Sequence, residues 1–138
     1  MEHIATLISI ITENRTGILA EIAEAMGSAK ININAINGEG LGEIGIIRLI
    51  TDDPKKTAEI LRKRNFNIVE SDVFLITLRN EPGQLKKISD ILAKKKINIE
   101  FIYQQTSEDR GSARVIIKVN ETQKLKAREI LEDAKFFD

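Results

Sequence analysis

Asn14-Arg15-Thr16-Gly17-Ile18-Leu19 returns 66 residues later as Asn80-Glu81-Pro82-Gly83-Gln84-Leu85. Lys30-Ile31-Asn32-Ile33 returns unchanged as Lys96-Ile97-Asn98-Ile99. At the same offset Gly45 returns as Gly111 and Arg48 as Arg114. Without gaps, 13 of the 41 positions from Ile10 to Ile50 match those from Ile76 to Ile116, so the chain is read as a duplication. A repeat of this period decides the architecture before any local propensity does. It divides the chain into two modules, residues 1–72 and 73–138. A unit of about 70 residues buries too little surface to be robust alone, so packing against another unit or another chain is expected.

Composition narrows the function. The 21 basic and 21 acidic residues of the 138 cancel, which removes the general electrostatic pull on nucleic acid or acidic membranes. With no cysteine and only His3 as histidine, neither disulfides nor a thiolate or histidine-rich metal site can be built. No metal and no cofactor is expected. The N-terminus lacks a signal-peptide pattern, and no stretch of 18 apolar residues is present, so the expected location is the cytoplasm, without a membrane partner. Neither a reactive constellation nor a Gly-rich phosphate loop is present, so an enzyme is not expected. An RNA-binding domain of this kind would stack bases on aromatics in its central strands. The third strands, 44–50 and 112–119, contain none.

Local patterns order the elements. Residues 4–11 are apolar and β-branched, which predicts a buried strand. Ile18, Leu19, Ile22 and Met26 then fall at helical spacing, and Gly27-Ser28 ends the helix. The alternation from Ile31 to Asn34 predicts a strand, and Gly38, Gly40 and Gly42 predict a loose turn before the strand 44–50. Asp53-Pro54 opens a second helix, with Asp53 as N-cap, and residues 67–72 close the module as a fourth strand. The second copy follows with a strand at 73–78, a helix striped by Leu85, Ile88, Ile91 and Leu92, and strands at 97–105 and 112–119. Asn120 begins a last helix, with Gln123 reaching back in a capping box. This copy, which runs to Asp138, offers no segment for a fourth strand. Its first strand is therefore expected to be exposed, covered by Phe136-Phe137, or paired with another chain.

Strand, helix, strand, strand, helix, strand is the ferredoxin-like βαββαβ order, an α+β arrangement with antiparallel strands and both helices on one face. Within it, the motif Asn-x-(Thr/Pro)-Gly-x-Leu followed by Ile-Asn-Ile resembles the ACT domain, the amino-acid-sensing module attached to many biosynthetic enzymes. The resemblance covers both copies. Asn80 to Leu85 is the cleaner match, because Thr16 stands where proline is usual. It implies two ACT modules, the second lacking its fourth strand, with an amino acid bound where two ACT domains meet. The ligand would lie between the loop before the first helix of one domain and the second strand of its neighbour. Contact positions then fall on Thr12, Asn14 and Asn32, and in the second copy on Leu78, Asn80 and Asn98. Leu78 departs from a polar contact. The loops themselves add Arg15, Thr16, Gly17, Ile18 and Leu19, and Glu81, Pro82, Gly83, Gln84 and Leu85.

Physical chemistry favours the same loops. A helix beginning at Gly17 or Gly83 presents backbone N–H groups that can hold a carboxylate. Glycine admits close approach. Asparagine offers both a donor and an acceptor, which suits a ligand carrying an ammonium and a carboxylate together. The expected protein is therefore a regulatory one. It senses an amino acid, forms a homodimer or higher homo-oligomer, and signals to a metabolic enzyme. The rival expectation is a regulatory subunit that docks on a biosynthetic enzyme with little or no ligand of its own.

Overall fold

The computed structural model describes residues 3–136. Six strands and four helices follow in the order β1 (Ile4–Glu13), α1 (Ile18–Ser28), β2 (Ile33–Leu41), β3 (Ile44–Thr51), α2 (Pro54–Lys63), β4 (Asn67–Arg79), α3 (Gln84–Lys94), β5 (Ile99–Thr106), β6 (Ser112–Val119) and α4 (Lys124–Asp133). A 3-10 turn, Glu121–Gln123, precedes α4. The chain forms two compact units, Thr6–Ser71 and Asp72–Asp138, the second joined by the segment through Ala5. The repeat alone would assign that opening segment to the first module.

In the unit Thr6–Ser71 the strands lie side by side as β2, β3, β1 and the opening part of β4. Ile8 stands opposite Leu49 and Ile10 opposite Ile47 in the antiparallel β1–β3 ladder. Strand side chains alternate between faces, so these four point together toward the helices. They bury against Ile22, Ala25 and Met26 of α1 and Ala58 and Leu61 of α2. The second unit repeats the scheme with β5, β6 and the rest of β4. Its core is Phe74, Ile76, Leu78, Val115, Ile117 and Val119, under Ile88 and Leu92 of α3 and Ala127 and Leu131 of α4.

The second unit does have a fourth strand. The opening segment of the chain supplies it. The Leu75 N–H donates to the His3 carbonyl at 2.8 Å, and Ile4 packs on this core. Phe136 also packs on the core from the end of α4, while Phe137 lies outside the described residues. Residues 67–72 and 73–78 are not two strands but one, because no Gly or Pro interrupts β4.

All four helices end alike. Lys30, Asn65, Lys96 and Lys135 each take a left-handed φ of 59–64°. The next residue, Ile31, Phe66, Ile97 or Phe136, donates its N–H back to the carbonyl five positions earlier and turns its side chain into a core. This is the Schellman ending, here without glycine. Gly27 therefore does not stop α1; it lies inside the helix, and the chain reverses at Lys30.

Three other expectations change. Gly38 and Gly40 belong to β2, and the turn to β3 is only Gly42-Glu43, with Gly42 at φ 63°. Gln123 does not reach back to Asn120; its side chain accepts from the Asn98 N–H at 2.9 Å and donates to the Lys96 carbonyl at 2.8 Å. The unbroken 66-residue offset also fails beyond β2. Gly45 faces Thr12 across the β1–β3 ladder, whereas Ala113 faces Leu78 across β4–β6. The longer loop between β5 and β6 shifts β6 by two residues, so the counterparts of Gly45 and Arg48 are Ala113 and Ile116.

Hydrogen exchange tests the completed sheet. The Leu75 amide should be protected in the full chain and exchange like a surface amide once residues 1–5 are removed. Unchanged protection would contradict the strand role of that segment.

Candidate functional site

The first copy of the repeated loop begins where β1 ends. Asn14 leaves the strand and ties itself to the β2–β3 turn twice. Its N–H donates to the Glu43 carbonyl at 2.9 Å, and its Nδ2 donates to the Gly42 carbonyl at 2.9 Å. Among the described residues no donor meets its Oδ1, which leaves that acceptor unused. Gly40 makes room for this side chain, since a Cβ there would stand 2.5 Å from Asn14 Nδ2. Thr16 continues the loop in the open, and Gly17 at φ 90° turns it into α1. No side chain caps that helix start, and its first N–H, that of Ile18, donates to the Arg15 carbonyl at 3.4 Å.

Arg15 folds across the helix start, donating from Nη2 to Glu21 Oε2 at 2.7 Å. Around Thr12, Asn14 and Arg15 lies an open groove of about 960 Å³. Its other walls come from Glu21, the Gly42-Glu43-Ile44 turn and Arg64 to Asn67 after α2. The Arg64 guanidinium is held by Glu24 at 3.2 Å. The Ser28 hydroxyl and then Arg64 keep the Glu24 carboxyl below its usual pKa. Both arginines thus line, each paired with a glutamate, a space large enough for a small metabolite.

Of the residues singled out in the first copy, Thr12, Asn14 and Arg15 line this groove; Thr16, Gly17, Ile18 and Leu19 do not. Leu19 remains 53% exposed, too much for a core role. Asn32 lies elsewhere. It sits just before β2, at the opposite end of the same unit, a strand length of roughly 30 Å from Asn14. Asp52 clamps its backbone, accepting the Asn32 N–H at Oδ1 (3.1 Å) and donating to its carbonyl (3.2 Å). Asn32 and Asn14 of one unit therefore cannot touch one small ligand.

The second copy keeps the backbone scheme. Asn80 donates from Nδ2 to the Arg110 carbonyl at 2.9 Å and from its N–H to Gly111 at 3.2 Å. Glu81 and Pro82 are exposed, Gly83 at φ 88° starts α3, Gln84 is half-buried and Leu85 is 42% exposed. Asn98 again precedes its strand, exposed, with its backbone held by Gln123 and Asn120. Asp109 stiffens the loop that Asn80 grips, accepting from the Ser107 hydroxyl and, at 2.8 Å, from the Gly111 N–H.

The sequence motif did not reveal Glu21, Glu43, Arg64, Asn65, Phe66 or Asn67 as groove residues. They come from three separate segments that only the sheet order brings to the end of β1.

Two four-stranded, helix-backed units built on one repeated loop define a tandem ferredoxin-like fold. The chain belongs to the ACT domain pair family, whose model matches residues 3–138. Among solved structures it is similar to protein BT0572 from Bacteroides thetaiotaomicron, at 30% identity and a TM-score of 0.86, over 96% of this chain and 90% of that one. It is also similar to the ligand-free regulatory subunit of aspartate kinase from Thermus thermophilus, at 17% identity and a TM-score of 0.67, over 99% and 95%. A third likeness is to the aspartokinase alpha and beta subunits, at 24% identity and a TM-score of 0.60, over 96% and 97%. The last two show the shared fold. No curated protein matches the chain. None of the helices among the described residues is long and apolar enough to cross a membrane.

The pKa of Asp109 is lowered from its ordinary 3.8, chiefly by the Ser107 hydroxyl and then by the Gly111 N–H. A depressed carboxylate supports its loop above the unfolded pKa and loses that support as pH falls through the folded one. The Gly111 amide shift in an NMR titration should therefore report a midpoint below 3.8. A midpoint at or above that value would contradict the loop geometry.

Proposed function

We propose that this protein senses an amino acid and conveys its bound state to a metabolic enzyme or regulator. The ligand occupies the groove at the end of β1 in the first copy. Membership of the ACT domain pair family supports a regulatory role. The observation that carries the placement is the half-used amide of Asn14. Its Nδ2 is fixed on the Gly42 carbonyl, while Oδ1 meets no donor among the described residues. An ammonium needs an acceptor of that kind, and a carboxylate needs a cation such as the Arg15 guanidinium, which lines the groove. A fixed amide also binds with less loss of side-chain freedom than a mobile one.

Asn32 enters the reading through a second chain. Since it stands at the far end of its own unit, its amide reaches a bound ligand only from another molecule. Ligand binding then favours one way of pairing two chains, and a partner enzyme responds to that pairing. Coupling of this type is typically about 1–3 kcal/mol, or roughly 5- to 150-fold in affinity.

A thermal-unfolding screen against the twenty standard amino acids tests the reading. A ligand at about 100 times its Kd stabilises by roughly 2.7 kcal/mol, which for a chain of this length is several degrees. One or two amino acids should give that shift, and Asn14→Ala should weaken their affinity by about tenfold or more, some 1.4 kcal/mol. Circular dichroism of the variant should remain that of the folded chain. No shift with any amino acid, or full affinity in Asn14→Ala, would refute the placement.

A further inference from the structure

We infer that each chain holds one ligand site, in its first copy, and that the second copy has filled the equivalent space from within. This rests on the reading of the groove as the amino-acid site.

The helix-facing row of β1 runs Ile8, Ile10, Thr12, and that of β4 runs Phe74, Ile76, Leu78. The first two members of each row are core residues in both units. The third differs. Thr12 is half-buried and lines the groove. Leu78 is 5% exposed and belongs to the core of its unit. The residue opposite changes in step. Gly45 faces Thr12, and a Cβ built there would stand 3.2 Å from the Glu13 carbonyl and 3.5 Å from Thr12 Cγ2. Ala113 faces Leu78, carries that Cβ, and is 2% exposed.

A third position agrees. Gly40 pairs with Gly45 in the β2–β3 ladder, and its bare Cα is what lets Asn14 lie against the strand. The residue paired with Ala113 in the β5–β6 ladder is Thr106, which has a side chain. Gly40 thus gives Asn14 its seat and Gly45 lets the Glu13 carbonyl and Thr12 close in, while Thr12 keeps a hydroxyl in the groove wall. Leu78, Thr106 and Ala113 each add volume, and Leu78 removes a hydroxyl as well. The side chains that shape the groove decide which copy can take a ligand, although both copies share the motif and the asparagine pin.

Isothermal calorimetry on the full chain, titrated singly with each of the twenty amino acids, tests the inference. The expected result is one equivalent bound per chain. Thr12→Leu with Gly45→Ala, which installs the second copy's filling in the first, should lower affinity more than about a hundredfold. The chain should stay folded by circular dichroism. Two equivalents on the unaltered chain would overturn the inference and leave the sensing role intact. Binding that survives the paired substitution would do the same. Absence of binding by every amino acid would remove the sensing role, and the single site with it. The stoichiometry of the unaltered chain decides the matter even if the double variant does not fold.

Discussion

The alternation of side chains along β1 and β4 governs both the stability and the chemistry of this chain. A strand residue faces the helices or faces away, with nothing between. Ile8 and Ile10 face inward against Leu49 and Ile47, so the inward position two residues on is Thr12. The same rule places Leu78 after Phe74 and Ile76. Burying these rows contributes of the order of 1.5–3 kcal/mol per large apolar side chain, so the register cannot slip. The register then fixes which residue closes the row, and that residue sets whether the row ends on a hydroxyl in the groove wall or on a core side chain.

Much of this was legible in the residues. The duplicated loop, the helix stripes and the strand order all follow from pattern. Asp53 does accept the Lys56 N–H as an N-cap, ahead of Pro54. What escaped reading depended on distant parts of the chain. Gly38 and Gly40 look like turn residues, yet β3 holds them as strand by pairing them with Ile47 and Gly45. Gln123 has the spacing of a capping box, but the backbone before β5 offers its amide both a donor and an acceptor. A two-residue change in one loop is invisible to a gap-free match, which is why Arg48 and Arg114 seemed equivalent. The missing fourth strand could not be located from the second copy at all, because the segment that replaces it lies at the start of the chain.

The loops around Asn14 and Asn80 show where motif and function part. Both asparagines grip the turn beside them through backbone and side chain, and both helices begin on a left-handed glycine without a side-chain cap. These shared features explain why the motif is repeated: it fixes the join between strand and helix. The features that distinguish the groove of the first copy lie mostly outside the motif, in Thr12, Gly40, Gly45 and Arg64, with Arg15 alone inside it. The two asparagines before β2 and β5 form a separate pair, each exposed and each held by its backbone, at the far end of its unit.

The most direct measurement is an amide NMR titration of the full chain with whichever amino acid stabilises it most. Shifts should gather at residues 12–19 and 42–44, with a smaller group near Asn32 if a second chain completes the site. The corresponding stretch 78–85 should stay still. Shifts centred on 78–85, or equal in the two copies, would contradict a single site in the first copy.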